Sequence, residues 1–288
     1  MTISIADRAT PLTWDVDHLT PFRTRARVPP LGRPPRLHGV LILLPPSETK
    51  STRTRGNPLD PRTLSLPDLA VPRQQAAIAL AEASARPDAA EVLGVSPNLG
   101  EEIARNTRLG SAPAVAVSRL YTGVLYDALD LPTLDPGSRR RAARRVLVQS
   151  ALYGALRLTD KVAPYRLSMA VNLPGLGPLA AHWRGPLAEV MPPLAGRGLV
   201  VDCRSSTYAA AWVPQGDLAG RWVQIRVPGA THMAKHTRGL VTRALCVSAV
   251  DPRTPTALAG VLSERFAVEL HSPRGAAKPW VLDVHPPA

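Results

Sequence analysis

Apolar residues first concentrate at residues 40–44, VLILL, a run halted by Pro45 and Pro46. A short continuous apolar run bounded by prolines predicts a buried strand that ends in a loop, here PPSETK. Comparable runs at 199–202 (LVVD), 221–227 (RWVQIRV), 266–271 (FAVELH) and 279–284 (PWVLDV) predict further strands, and VLVQSALYG after Arg145 begins as one. Between them, residues 73–85 (RQQAAIALAEASA) are strong helix formers, and 118–130 (SRLYTGVLYDALD) carry apolar residues at helical spacing. Helices are also expected near 178–190, 205–212, 234–246 and 256–265. Strands and helices interleave without an internal repeat, so the expected fold class is α+β, a mixed α/β domain.

The first 39 residues break this pattern, with Pro11, Pro21, Pro29, Pro30, Pro34 and Pro35 and no sustained period. They are expected to form an extended Pro/Arg-rich arm, leaving 40–288 as one domain with a helical hairpin at about 73–109. The net charge is +13, carried by 31 Arg and 4 Lys. Six Arg and three Asp give the arm +3, so the folded part keeps +10. Such a balance suggests an anionic partner, nucleic acid or a nucleotide phosphate, although Arg-, Ala- and Pro-rich composition produces the same charge without one. Cys203 and Cys246 are too far apart for a CxxC pair or a metal knuckle, which suits a reducing compartment. No apolar run is long enough to span a membrane and no secretory pattern is visible, so the expected location is cytoplasmic.

The segment EVLGVSPNLGEEIARN (91–106) has the pattern of a helix-hairpin-helix. Gly94 permits the tight turn, Ser96 caps, and Pro97 and Asn98 open a second helix whose amides could meet a phosphate. Glu101 and Glu102 suit the helix dipole but repel a phosphate; the bland alternative is an ordinary capped hairpin. Ser47 and Lys50 in SETK have the S-x-x-K spacing of lysine-assisted serine acyltransferases, but the flanking prolines and the lack of S-D-N or K-T-G argue for a loop with a chemically useful Ser and Lys. His232 and His236 stand four apart in HMAKH, the first half of a metal site, yet Lys235 and Arg238 oppose a cation, so no metal and no cofactor is expected. RRRAARR at 139–145 reads most simply as a solvated basic face.

Four motifs in order, YTGVLYDAL from Tyr121, SALYGALRLTDKVAPYRLSM from Ser150, VVDCRSSTYAA from Val200 and HMAKHTRGLVTRAL from His232, resemble the YaaA family of peroxide-stress proteins. LLPPSETK looks like the opening strand and loop of the actinobacterial branch, and the likeness runs from about Val40 to Val284. The resemblance implies a mixed sheet wrapped by helices, a helix-hairpin-helix element for DNA contact, and a role in limiting oxidative DNA damage linked to intracellular iron. It supplies no established reaction. The motif positions fall here on Lys50, on Tyr121, Gly123 and Tyr126, on Tyr153, Asp160, Tyr165 and Arg166, on Ser205 and Tyr208, and on Lys235, Arg238 and Gly239. Where many members carry a glutamate this chain has Ser168, and where they show AS-EY it has Thr207; losing two carboxylates weakens a shared iron or acid/base site.

If the motif strands end side by side, Lys50, Arg166, Arg204, Lys235 and Arg238 are expected around a pocket floored by Tyr153 and Tyr165, which would attract a phosphate or carboxylate. Asp160 is expected to orient Arg166. Lys50, Tyr165, Arg166 and Lys235 are the candidates for catalysis. Ser47, Tyr121, Tyr126, Tyr153, Asp160, Arg204, Ser205, Tyr208 and Arg238 are candidates for ligand contact, and Gly94, Ser96 and Asn98 for DNA. Three readings follow: a cytoplasmic, DNA-associated stress protein, an enzyme acting on a small anionic, nucleotide-like substrate, or a non-catalytic module that binds iron or a partner protein. A small anionic ligand and DNA are the partners the first two call for.

Overall fold

Seven strands form one sheet in the order β10-β11-β9-β8-β1-β3-β4, in a computed structural model that describes residues 39–229, 232–275 and 277–285. The extended arm expected over residues 1–39 lies outside the described residues save for Gly39. In chain order the strands are β1 (Leu41–Leu44), β2 (Val115–Ala116), β3 (Val146–Ser150), β4 (Gly154–Arg157), β5 (Lys161–Val162), β6 (Asn172–Leu173), β7 (Gly177–Pro178), β8 (Val200–Asp202), β9 (Trp222–Arg226), β10 (Ala267–His271) and β11 (Trp280–His285). The helices are α1 (Ala70–Ser84), α2 (Ala89–Val92), α3 (Gly100–Asn106), α4 (Val117–Leu120), α5 (Val124–Leu129), α6 (Pro136–Arg145), α7 (Leu179–Ala195), α8 (Ser206–Ala209), α9 (His232–Val247) and α10 (Pro255–Ser263). The mixed α/β class expected from the pattern is the observed one.

β11, β9, β8, β1 and β3 are parallel, and β10 and β4 are antiparallel edges. β1, β3 and β8 are buried along their whole length, which explains why their sequences are nearly unbroken apolar runs rather than alternating ones. The chain leaves β1 towards β3 on one side and leaves β8 towards β9 on the other. Connections therefore diverge between β1 and β8, the topological switch point of an open sheet. Register pairs Ile42 with Val146 and with Val201, so Leu44, Ser150 and Cys203 follow on one face and Gln149, Asp202 and Arg204 on the other.

Two expectations change here. The helix read over 118–130 is broken into α4 and α5 because Tyr121 bridges to Lys50 and Gly123 takes φ +91°. A Cβ on Gly123 would stand 3.0 Å from Thr49 Oγ1, so the β1 loop needs this glycine beside it. VLVQSALYG, expected to begin as a strand, is more than that, the first arm and turn of a hairpin: β3 turns through Ala151–Tyr153 into β4, which starts at Gly154. Gly154 has φ +72°, and a Cβ there would meet the buried Trp183 ring at 2.6 Å.

The basic run at 139–145 is not merely a solvated face either. Arg141 donates to the Cys246 and Val247 carbonyls, and Arg145 to those of Leu245, Ser248 and Val250. These carbonyls end α9, whose partial negative charge a guanidinium offsets. Arg243 does the same for Leu129 and Asp130 after α5, and Arg221 for Gly196 and Gly198 after α7. Arg73 ties the Leu66, Tyr153 and Ala155 carbonyls together. Part of the positive charge thus holds helix and strand ends, while Arg139, Arg140 and Arg144 remain exposed. Among the described residues no helix is long and apolar enough to cross a membrane.

Candidate functional site

The five tyrosines of the chain are Tyr121, Tyr126, Tyr153, Tyr165 and Tyr208, and the fold brings them around the ends of β1, β3 and β8. The Tyr165 hydroxyl lies 2.7 Å from Ser150 Oγ and 3.1 Å from the Tyr121 hydroxyl. Ser150 Oγ also accepts the Leu152 and Tyr153 amides, which fixes it at the tip of β3. Tyr153 meets the Tyr165 ring edge-on at 5.6 Å, and Tyr126 packs 5.4 Å from Tyr121 while donating to the Pro45 carbonyl. Burial raises the pKa of all five phenols, and for Tyr208 the nearby Tyr165 adds to it. They stay neutral and serve as hydrogen-bonding surface.

Lys50 reaches over this floor. Its Nζ sits 4.4 Å from the centre of the Tyr165 ring and 5.6 Å from that of Tyr121. It donates to the Ser47 carbonyl at 2.7 Å and the Glu48 carbonyl at 3.3 Å. Burial, with the positive charge of Arg166 acting in the same direction and Glu48 opposing, brings Lys50 down to about 7. At neutral pH a substantial share is the free amine, the form that accepts a proton or attacks a carbonyl. The lysine is positioned by pairing of its loop with the Tyr121 segment: Ser51 N donates to Leu120 O at 2.8 Å, and Ser51 Oγ to Arg119 O at 2.6 Å. Ser47 and Lys50 form no nucleophile and base pair, since the ammonium meets the serine's carbonyl while Ser47 Oγ contacts Thr49 Oγ1.

Arg166 pairs with Glu48 at 3.1 Å. Its backbone is clamped by Asn106, which accepts the Arg166 amide at 2.8 Å and donates to its carbonyl at 2.9 Å. Asp160, expected to orient Arg166, instead accepts the amides of Ser65 and Arg157 and fixes the turn after β4. Beyond Lys50, Tyr165 and Arg166 lies a cleft of about 200 Å³, also walled by Glu48, Leu99, Glu102 and Arg105.

Arg204 does not face this cleft. It is 1% exposed, forks onto Asp202 at 2.8 and 2.6 Å, donates to Gln149 Oε1 at 2.5 Å and lies over the Trp212 ring. Asp202 is held also by the Trp222 indole at 3.0 Å. The charge expected to help surround an anion is neutralised internally. Ser205 precedes α8 without a side-chain capping bond, and Tyr208 follows in that helix. Ser168 and Thr207 are both exposed. Lys235 is exposed on α9 and Arg238 is half-buried beside Cys203; neither lines the Lys50 cleft.

In the hairpin, Gly94 takes φ +62° at an exposed turn and Ser96 Oγ accepts the Asn98 amide at 3.3 Å. Pro97 and Asn98 belong to a separate single turn, Pro97–Leu99, and α3 starts only at Gly100 and runs seven residues. α3 packs on α1 and lends Glu102, Arg105 and Asn106 to the cleft and its support. The side chain of His232 lies outside the described residues. Among those described, the three His, Asp or Glu side chains with converging ligand atoms are Glu269, His271 and Asp283, where Arg226 already neutralises Asp283.

Sequence reasoning missed Glu48, Asn106, Ser150, Glu102 and Arg105. Ser150 and Glu48 sit inside quoted motifs, so closeness to Lys50 and Tyr153 was a usable signal. Asn106 and Arg105 lie some 60 residues from Arg166, and nothing local announces the contact.

The sheet, its switch point and the Lys50–Tyr165 cleft define an open, mostly parallel α/β protein with a small polar cleft beside the loop that follows β1. The chain belongs to the family described as peroxide stress protein YaaA, whose model matches residues 40–271. It is 47% identical over 254 residues to a UPF0246 protein of Streptomyces coelicolor, covering 85% of this chain and 98% of that one. It is 36% identical to a UPF0246 protein of Corynebacterium efficiens, with 77% and 91% covered, and 35% to one of Corynebacterium glutamicum, with 75% and 88% covered.

Proposed function

We propose that this protein serves the peroxide-stress response after which its family is described, and does so by binding and converting a small anionic molecule at the Lys50–Tyr165 cleft. The observation that carries this reading is Lys50 itself: an amine with two backbone carbonyls and two ring faces as neighbours, set at the switch point of the sheet with Arg166 beside it. Lys50 acts as base or nucleophile, Arg166 draws the anion, and Tyr165 holds the lysine's position through its ring and its bond to Ser150. The experiment is incubation of the purified protein with a mixture of nucleotides, sugar phosphates and oxo acids, followed by mass spectrometry. One compound should be consumed by the wild type and by neither Lys50→Met nor Arg166→Gln. In a deletion strain challenged with hydrogen peroxide, wild type should restore growth and Lys50→Met should not. Equal consumption and equal rescue by the variants would defeat the reading.

A second reading, duplex DNA contact through the hairpin, rests on the exposed left-handed turn at Gly94, where nothing lies within 4 Å of a built Cβ. Glu91, Glu101 and Glu102 flank it, and the arginines that cap carbonyls are unavailable to phosphates. Mobility-shift titration at low salt decides it: binding that weakens with salt and with Gly94→Val supports hairpin contact, and no binding at low salt ends it.

A further inference from the structure

α9 is 16 residues long and follows β9 directly, so its positive end lies at the carboxyl edge of the sheet, with the loops after β1 and β8. Thr242, in its third turn, already stands at strand-end level, with Oγ1 4.0 Å from Cys203 Sγ. The ten residues before it, about 15 Å of helix, overhang the strand ends. They are brought close by Gly239, where a Cβ would stand 2.2 Å from the Leu125 carbonyl of α5.

Three successive residues of this overhang keep a buried polar atom without a partner: His236 Nδ1, Thr237 Oγ1 and Arg238 Nε. Thr237 is 0% exposed. Thr242, on the same helix, shows the usual solution for a buried threonine, a bond from Oγ1 to the Arg238 carbonyl at 2.8 Å. Buried polar atoms are nearly always paired; on successive helix residues these three point to different sides, and the adjacent pair Thr237 Oγ1 and Arg238 Nε is the one a single oxygen ligand could satisfy. Arg238 stands beside Cys203, where its charge opposes the burial that pushes that thiol up to about 12. Among the described residues no carboxylate pairs with Arg238. Lys235 lies one turn earlier and is exposed.

We propose that the first turns of α9 form a second anion subsite, in which Thr237 Oγ1 and Arg238 Nε donate to a phosphoryl oxygen and Lys235 adds positive charge. Cys203, beside Arg238, and Ser150, which carries Tyr165, follow on the same face from β8 and β3, with β1 between them. Two strand spacings across and two residues along the strand separate them by about 12 Å. Resting on the Lys50 reading above, this assigns the ligand class: an organic phosphate about 12 Å long, its phosphate at α9 and its reacting end at Lys50.

Inorganic phosphate is the probe, and the melting temperature of the full chain is the readout. Phosphate should stabilise the wild type and Lys50→Met alike, because the cleft change leaves α9 intact. Thr237→Val and Arg238→Gln should bind phosphate at least ten-fold more weakly. Lys235→Gln, on the surface and therefore safe for folding, should bind several-fold more weakly. The subsite is overturned if phosphate does not stabilise the wild type, if the three α9 variants respond as the wild type does, or if Lys50→Met alone loses the response. Failure of Lys50→Met to lose metabolite conversion, with the phosphate response intact in wild type and lost in Arg238→Gln, would instead defeat the cleft reading and leave the subsite standing.

Discussion

Lys50 Nζ stands 4.4 Å above the centre of the Tyr165 ring, and Tyr165 is tied to the sheet by a 2.7 Å bond between its hydroxyl and Ser150 Oγ. One side chain thus supplies both the seat of the lysine and its link to β3. The ring face and two carbonyls favour the ammonium, whereas burial and Arg166 favour the amine, and the balance falls at about 7.

That balance predicts unequal lysine reactivity. The chain has four lysines, and Lys161, Lys235 and Lys278 are exposed. In competitive acetylation followed by peptide mass spectrometry, Lys50 should titrate with a midpoint near 7, well below the ordinary lysine value. Arg166→Gln should shift that midpoint upward, because it removes a neighbouring positive charge. A Lys50 midpoint at the ordinary lysine value would contradict the assignment.

Stability should follow the same group. The folded state holds Lys50 near 7 while the unfolded chain holds it near the ordinary lysine value, so between these limits the unfolded state binds more protons. Stability attributable to Lys50 therefore rises as pH increases from about 7 towards 10. Urea midpoints of wild type and Lys50→Met, measured at pH 6.5 and 9.5, should show the wild type gaining on the variant at the higher pH.

Asn106→Ala should release the Arg166 segment. It removes both bonds to the Arg166 backbone and one to Ser84 Oγ at 3.0 Å. Leaving these buried groups unpaired costs about 2–3 kcal/mol. Conversion of ligand should fall further than the stability loss explains, since Arg166 is set by its backbone and by Glu48; this is read by comparing kcat/KM with the folded fraction at the assay temperature.

Arg204→Met should cost about 3–5 kcal/mol, because Asp202 would keep a buried charge with only the Trp222 indole and the Arg204 amide position against it. The double change Asp202→Leu with Arg204→Met should recover part of that loss, which chemical denaturation can measure. A purely ligand-facing Arg204 would instead lower affinity with little effect on the denaturation midpoint.

Gly239→Ala should separate α5 from α9 through the clash with the Leu125 carbonyl. Overpacking of this kind costs about 1–3 kcal/mol. Because Tyr126 on α5 bonds the Pro45 carbonyl of the β1 loop, the variant should also perturb Lys50 reactivity, and an unchanged acetylation midpoint would show that the two are independent.

Strand positions were largely legible in the chain. The runs at 40–44 and 199–201 are unbroken because parallel strands covered on both faces need apolar residues at every position, whereas 221–227 alternates, with Gln224 half-buried and Arg226 exposed. The motif tyrosines, Lys50 and Arg166 were legible too, since they lie within short distinctive segments. Charge pairing was not. Asp160 sits six residues from Arg166 yet bonds the amides of Ser65 and Arg157, and Asn106, 60 residues away, holds Arg166 instead.

The arginines show the same division. By itself the sequence determined where strands and helices form, which family the motifs belong to and that the folded part is strongly basic. Only the tertiary structure decided which charges face the cleft: Arg204 is consumed by Asp202, Arg141 and Arg145 by carbonyls at and just after the end of α9, and Arg166 is left at the cleft. The reason is physical. Burial and spacing patterns are properties of neighbours along the chain, whereas the partner of a guanidinium or an ammonium is whatever the packing of distant elements brings within hydrogen-bonding distance.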